Sequence, residues 1–411
     1  MLEKNYFSYF CTVIYFKFEK KLMSFKNTKT AFSLKNNAEL KRAYFLFKLI
    51  SYPFLVRLGN FLVMMSVKLR LPVDSLIRLS VFDQFCAGID EKDSVKIVNL
   101  LATKNVKSYL HYSVEGANSE NDYDNCLEST LKTLEVSAKN SSLLFSVFKP
   151  TGYGSSILFK KKSNNIPFTL EESDAWERVI ERFKITFNKA KLIGISVFVD
   201  AEESWLQPSI DGLVEDMMLE YNKDKAIVFN TIQMYRKGRF EYLKELNDKS
   251  LKHNFKVGIK LVRGAYMEIE RAKAIDGNYS SPICDSKRET DAQYDDGIEF
   301  IFNNLDRFSL FLGSHNEKSA KKAIDLAIKK SIPKNHKNLS FGQLYGMSDN
   351  LTFTLAKRGY RAVKYLPYGP VKEVVPYLIR RANENSSVSG QSNRELDLIS
   401  SELKRRKDIK N

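Results

Sequence analysis

The sequence is poor in the residues that build metal and redox centres. It has four cysteines and four histidines in 411 residues. Cys11, Cys86, Cys126 and Cys284 stand far apart, with no CxxC pair and no metal-ligand spacing. That argues against a zinc site or a disulfide scaffold, and for free thiols in a reducing compartment. His111, His253, His315 and His336 are equally dispersed. No apolar run reaches the 18 or more residues of a membrane-spanning helix. No GxGxxG turn follows the first strand candidate, which counts against an open dinucleotide-binding sheet. The net charge is +16 and the pI about 9.4. The lysines are nonetheless scattered and no compact Arg and aromatic module occurs, so no nucleic acid is expected as a partner.

The first residues, MLEKNYFSYFCTVIYFKFEKK, are aromatic and of mixed charge. Their apolar core is too short and interrupted for a secretory signal, and they lack the arginines of a mitochondrial transit peptide. Met23 opens MSFKNTKTAFSLKN, which reads as a natural beginning, so residues 1–22 are expected to be a leader or a misassigned start.

What is present suits a globular protein with a real core: 43% hydrophobic and 12% aromatic residues. Residues 23–104 read as a helical arm, with helical spacing in ELKRAYFLFKLI, RLGNFLVMMSVKLRL and DSLIRLSVFDQFCAGI. From there short β-branched or aromatic runs alternate with amphipathic stretches. Strands are expected at 106–114, 143–150, 192–200, 226–232, 256–263, 309–315, 339–345 and 361–367. Eight strands alternating with eight helices over 105–390 predict a closed (βα)8 barrel of the TIM type, with a doubly wound open sheet as the competing arrangement. Residues 391–411 read as a basic C-terminal tail.

Polar residues gather where the strands end: Lys149, then Asp200 with Glu202 and Glu203, then Gln233 and Tyr235. Arg263, Gly264, Ala265 and Tyr266 follow, then His315 and Asn316, then Gln343, Leu344 and Tyr345. In a barrel these ends share the face where active sites form. After the eighth strand, Tyr377, Arg380, Arg381 and Glu384 are spaced i, i+3, i+4, i+7 and share one helix face. Two guanidiniums can clamp a small carboxylate and the Glu can face a cationic nitrogen, which together describe an amino-acid zwitterion. The same spacing also describes a surface salt bridge worth about 0.2–0.5 kcal/mol.

Three segments, KLVRGAYMEIERA (260–272), FGQLYGMSDN (341–350) and KYLPYGPVKEVVPYLIRRANEN (364–385), are highly specific. Together with FSVFKPTGYG, VFVDAEESW, NTIQMY and GSHN, they make the chain from about Thr30 to Glu395 resemble the proline dehydrogenase family in its single-activity form. The resemblance implies a (βα)8 barrel with the last helix over its mouth and FAD at the strand ends. It implies oxidation of L-proline to 1-pyrroline-5-carboxylate, with hydride passing to flavin N5 and electrons to a membrane quinone. A separate pyrroline-5-carboxylate dehydrogenase would take the product. Carried over by position, Arg380 and Arg381 become the clamp for the proline carboxylate, with Lys149 on the opposite wall. Tyr365 and Leu344 would pack on the ring, Tyr266 over the pocket, and Glu384 beside Arg380 or the substrate nitrogen. Asp200, Gln233, Lys260, Val262, Gly264, Ala265, Lys287, His315 and Asn316 fall where the family contacts FAD.

The residue types agree with that chemistry. A flavin performs the hydride step, so the protein need only bind and orient. The cations at Lys149, Arg380 and Arg381 fix the carboxylate and disfavour protonation of the nearby amine. Two positions depart from relatives. His111 stands where they usually carry Asp, a change expected to weaken a contact to the Arg pair or to shift the pH optimum. Lys260 stands where bifunctional relatives carry Arg. Tyr365 favours proline, since hydroxyproline-preferring relatives have a smaller residue there. The competing readings are a catalytically weakened barrel used for binding, a hydroxyproline-preferring relative, and an aldolase-type barrel with Lys149 as its Schiff base. Function places the chain in the cytoplasm or peripherally at an inner membrane, mitochondrial in a eukaryote. The tail ELKRRKDIKN suits an anionic surface or plain solvent equally.

Overall fold

A computed structural model describes residues 24–69, 71–72, 74–113, 116–387 and 391–409. The leader expected at 1–22 lies outside the described residues. Eight parallel strands close a barrel in chain order, with β8 hydrogen-bonded to β1. They are β1 (Lys107–Tyr112), β2 (Leu143–Phe148), β3 (Ser196–Val199), β4 (Val228–Gln233), β5 (Val257–Val262), β6 (Phe308–Gly313), β7 (Leu339–Leu344) and β8 (Ala362–Tyr368). Each overlaps one of the stretches read as strands, and the open sheet is excluded. The third strand is shorter than expected. Leu192 and Ile193 still belong to the preceding helix, which stops only where Gly194 turns left-handed at φ 76°.

The arm contributes α1 (Asn37–Ile50), α2 (Pro53–Lys68), short helical turns between Asp74 and Phe85, and α3 (Glu91–Ala102). The barrel helices are α4 (Glu120–Ala138), α5 (Leu170–Ile193), α6 (Gln207–Tyr221), α7 (Arg239–His253), α8 (Met267–Asp276), α9 (Lys287–Asn303), α10 (Glu317–Lys329), α11 (Asp349–Lys357) and α12 (Val375–Ser387). Their starts are written in the sequence. Asn36 with Glu39, Ser119 with Asp122, and Thr169 with Glu172 form reciprocal caps that satisfy the free amides of α1, α4 and α5.

Two cores result. One fills the space between sheet and helices. The other lies inside the barrel and continues into the arm and α12. Its centre is a plug of rings from β1, β2, β3, β4 and β6, namely Tyr109, Phe145, Phe198, Phe229 and Phe311, with neighbouring centroids 4.5–6.4 Å apart. Gly342 on β7 makes the plug possible, because a Cβ there would fall 2.1 Å from Phe311.

The arm is stitched to the C-terminal mouth of the barrel. Gln84 donates to the Gly346 carbonyl at 2.7 Å, the Ala87 amide to the Pro367 carbonyl at 2.8 Å, and Asn60 of α2 to Asn383 of α12 at 2.9 Å. Residues 391–408, read as a loose basic tail, form a further helix, α13 (Gln391–Asp408), packed on α1. Glu402, fully buried, holds Arg405 and Arg406, and Arg406 also donates to the carbonyls of Phe32 and Lys35. Part of the tail's charge is therefore spent inside the fold.

Candidate active site

A cavity of about 240 Å³ opens at the C-terminal end of the barrel. The ring plug is its floor, through Tyr109 and Phe311, and α12 is its roof, through Tyr377, Arg380, Arg381 and Glu384. The helix face read from residue spacing thus points into a cavity, not into solvent. Lys149 enters from the end of β2 and Asp200 from the end of β3. Gln233 comes from β4, Lys260 and Val262 from β5, with Ala265 and Tyr266 just beyond. His315 follows β6, Leu344 ends β7 and Tyr365 comes from β8.

Three expected residues are not in the lining. Asn316 caps α10, accepting from the amides of Lys318 and Ser319. Lys287 is exposed at the start of α9 and bonds Asp291. Gly264 sits at φ 100°, and a Cβ there would touch nothing within 4 Å. The positive φ is a conformational reason for this glycine, in the left-handed turn that leads to Ala265 and Tyr266. Gly264→Ala is expected to cost about 1–3 kcal/mol of local strain. Its readout is release of bound cofactor at lower urea than in the parent protein.

The charges are arranged by burial and pairing. Lys260 bonds Asp200, and its ammonium lies 5.0 Å from the centre of the Phe198 ring. Burial alone would raise the Asp200 carboxyl, but Lys260, His111 and Lys149 together hold the group below the usual carboxylate range. Glu384 accepts from Arg381 at 2.5 Å. Burial pushes its carboxyl up, against the pull of Arg381 and Arg380. His315 bonds Ser348 at 2.9 Å, and burial, reinforced by Lys364, pushes it down to about 3, so it is a neutral imidazole near pH 7. Gln233 faces the cavity while its amide is committed to the Glu202 carbonyl and to Arg236.

Two residues named in the sequence make contacts that the sequence did not reveal. Glu202 is 3% exposed, and its carboxyl is raised by burial. It accepts from Tyr266 at 3.0 Å and from Thr151 at 2.7 Å, so it fixes the Tyr266 ring. Its neighbours Asp200 and Glu203 gave no sequence signal to single it out. The second is His111. Its Nδ1 lies 2.5 Å from the Tyr365 hydroxyl, with the Ser113 hydroxyl 3.3 Å from both. His111 therefore acts on the orientation of Tyr365.

The family model described as proline dehydrogenase matches residues 94–394. The chain belongs to the proline dehydrogenase family. It is 38% identical to the carbapenem antibiotics biosynthesis protein CarD of Pectobacterium carotovorum subsp. carotovorum over 307 residues, covering 74% of this chain and 79% of that protein. It is 31% identical to the mitochondrial proline dehydrogenase 1 of Dictyostelium discoideum over 426 residues, covering 92% of this chain and 74% of the relative. A crystal structure of proline utilization A from Bdellovibrio bacteriovorus inactivated by N-propargylglycine has the same fold, with a TM-score of 0.69 at 20% identity. That likeness covers 88% of this chain, which spans only 38% of the larger protein.

Membership in the proline dehydrogenase family makes the chain an oxidoreductase and implies a flavin cofactor. The residues present fit such a group. Arg263 Nε, just past β5, is a buried polar atom without a hydrogen-bond partner on a residue that lines the cavity. Such groups are rare without a ligand or water to satisfy them. Lys260 adds a cation at the same wall, and the ring plug offers an apolar floor.

Proposed function

We propose that this chain oxidises L-proline to 1-pyrroline-5-carboxylate with FAD as its cofactor. The observation that carries the reading is the convergence of Arg380 and Arg381 from α12 with Lys149 from β2 on one cavity also lined by Tyr365 and Leu344. The oxidation removes a hydride from the ring carbon beside nitrogen and a proton from the nitrogen, leaving a carbon–nitrogen double bond. FAD, when bound, supplies the hydride acceptor.

The protein's own residues bind and orient. The two guanidiniums and the Lys149 ammonium hold the substrate carboxylate, each contact contributing about 1.5–3 kcal/mol. Their charge favours the neutral amine, the better hydride donor. Tyr365, held by His111, and Leu344 confine the ring, and Tyr266, held by Glu202, closes one side. Asp200, Lys260, Val262, Ala265 and His315 are assigned to the flavin. We retain the division into arm (23–104), barrel (105–390) and C-terminal segment (391–411). A membrane quinone takes the electrons, and a separate pyrroline-5-carboxylate dehydrogenase takes the product.

Purified protein is expected to show the two-band visible spectrum of an oxidised flavin, bleached by proline and restored by an electron-accepting dye. A colourless protein with no proline-dependent dye reduction would overturn the proposal. Specificity is a sharper measurement. Tyr365→Ser is expected to raise the ratio of kcat/KM for hydroxyproline over proline by at least about tenfold, because it opens space beside the ring and removes apolar contact. An unchanged ratio would remove Tyr365 from the substrate wall.

A further inference from the structure

Helix α2 buries only a narrow face and leaves most of its large apolar side chains in solvent. Val56 is buried, Asn60 bonds Asn383 of α12, and Val63 packs against the core. These positions recur at i, i+4, i+7 and mark the inward face. Elsewhere on α2 and its flanks, Phe45, Tyr52, Phe54, Phe61, Met64 and Leu69 are 53–69% exposed. No other part of the described chain shows large apolar side chains so densely. An exposed apolar surface of this kind marks an interaction site.

The charge of the same stretch says what interacts. From Leu40 to Val73 there are six cations, Lys41, Arg42, Lys48, Arg57, Lys68 and Arg70, and no acid, in a protein with 49 acidic residues. Lys41, Lys48, Arg57 and Lys68 are exposed. A second copy of the chain would set these cations against one another with no acid facing them. An anionic lipid surface complements both the charge and the phenylalanines. The shape excludes a crossing. No single described helix is long and apolar enough to span a membrane, and α1 and α2 meet at a bend of 101°. The 16 residues of α2 extend about 24 Å, short of the roughly 30 Å hydrocarbon core.

We infer that the α1–α2 corner is a monotopic anchor. Helix α2 lies in the headgroup layer of an anionic bilayer with its outward face in the acyl boundary. Because α2 packs on α12, the roof of the cavity, this orientation sets the barrel mouth beside the lipid. It rests on the proposed oxidation in one respect: a lipid-soluble electron acceptor then meets the mouth without leaving the membrane. The anchor is the arm, not the basic C-terminal segment, whose Arg405 and Arg406 are already paired.

The test is sedimentation of the full chain with phosphatidylcholine vesicles, with and without phosphatidylglycerol. The protein is expected to pellet with the anionic vesicles only, and to be released by high salt. Phe54→Glu with Phe61→Glu should lower the partition at least about tenfold, since two large apolar side chains are withdrawn from the acyl boundary. Proline-dependent dye reduction should be unchanged, which also shows that the variant is folded. Reduction of a quinone carried in the same vesicles should fall with the binding. Lys48→Glu with Arg57→Glu provides a second variant that leaves the apolar face intact and should lose the preference for anionic lipid. Parent protein remaining in the supernatant, or a Phe54/Phe61 variant that pellets like it, would overturn the anchor. So would a lipid-free dimer dissolved by that variant, or vesicle binding that appears only after residues 1–22 are deleted. Failure of dye reduction in the parent protein would overturn the catalytic reading alone, because vesicle partition is read independently of it.

Discussion

Replacing Arg381 by Met is expected to raise the KM for proline about ten- to a hundredfold, the loss of one charge-assisted contact of about 1.5–3 kcal/mol. The effect has two parts. The substrate carboxylate loses a donor, and Glu384 loses the partner it holds at 2.5 Å while 29% exposed. Arg381→Lys should fall between the two, keeping the charge but losing the planar fork. Flavin content should match the parent protein in both variants, because α12 contacts the cavity from the roof while the cofactor residues come from the strand ends. Arg380→Met should behave similarly. The double variant should be less than the product of the two, since both side chains serve one carboxylate. A KM within twofold of the parent protein for Arg381→Met would remove this residue from the clamp.

Replacing Lys364 by Met is expected to destabilise the fold by about 3–5 kcal/mol, the cost of stranding one member of a buried ion pair. Lys364 is 1% exposed in β8 and bonds Asp349 of α11 at 2.9 Å. It also donates to the carbonyls of Leu344 and Met347, at 3.1 and 2.5 Å. One ammonium thus fixes the loop after β7 that presents Leu344 to the cavity. Burial would raise the Asp349 carboxyl, but Lys364, helped by Lys35, holds it below the usual range. The folded value therefore lies below the unfolded one. The stabilisation is complete above the unfolded carboxyl near pH 4 and disappears as pH falls through the folded value. Denaturant titration near neutral pH should show the full loss, and the gap between parent and variant should narrow below about pH 4. Lys364→Met with Asp349→Leu should recover part of the stability, because no buried charge then lacks a partner. Equal stability of parent and single variant would show that the pair contributes nothing.

Much of the fold was legible because the barrel writes itself locally. Parallel strands buried on both faces leave short apolar runs such as SVFV and VGIKLV, and caps such as Thr169 with Glu172 mark where helices begin. The candidate site was legible to the extent that it follows from chain direction. A residue just past a parallel strand must reach the C-terminal mouth, so Lys149, Asp200, Tyr266 and Leu344 needed no further information. The face of α12 needed only its own 3.6-residue period. Asn316 and Lys287 lie outside the cavity lining, because a position one residue past a strand, or at a helix start, leaves the side chain a choice. Asn316 took the cap and Lys287 took Asp291.

The sequence by itself determined the order of elements, the family and the end of the barrel where chemistry sits, because each is set by local pattern and by the polarity of parallel strands. The family resemblance already implied that the face of Tyr377, Arg380, Arg381 and Glu384 lies over the mouth, and it is a roof because the chain after β8 crosses there. Tertiary structure alone decided two further things. His111 came to act on Tyr365, since β1 and β8 are neighbours only when the barrel closes. Most apolar side chains of α2 were left outward because the helix meets the protein through the narrow face of Val56, Asn60 and Val63, a choice that period alone does not make. Spacing shows which residues share a face, but only the packed neighbours show where that face points.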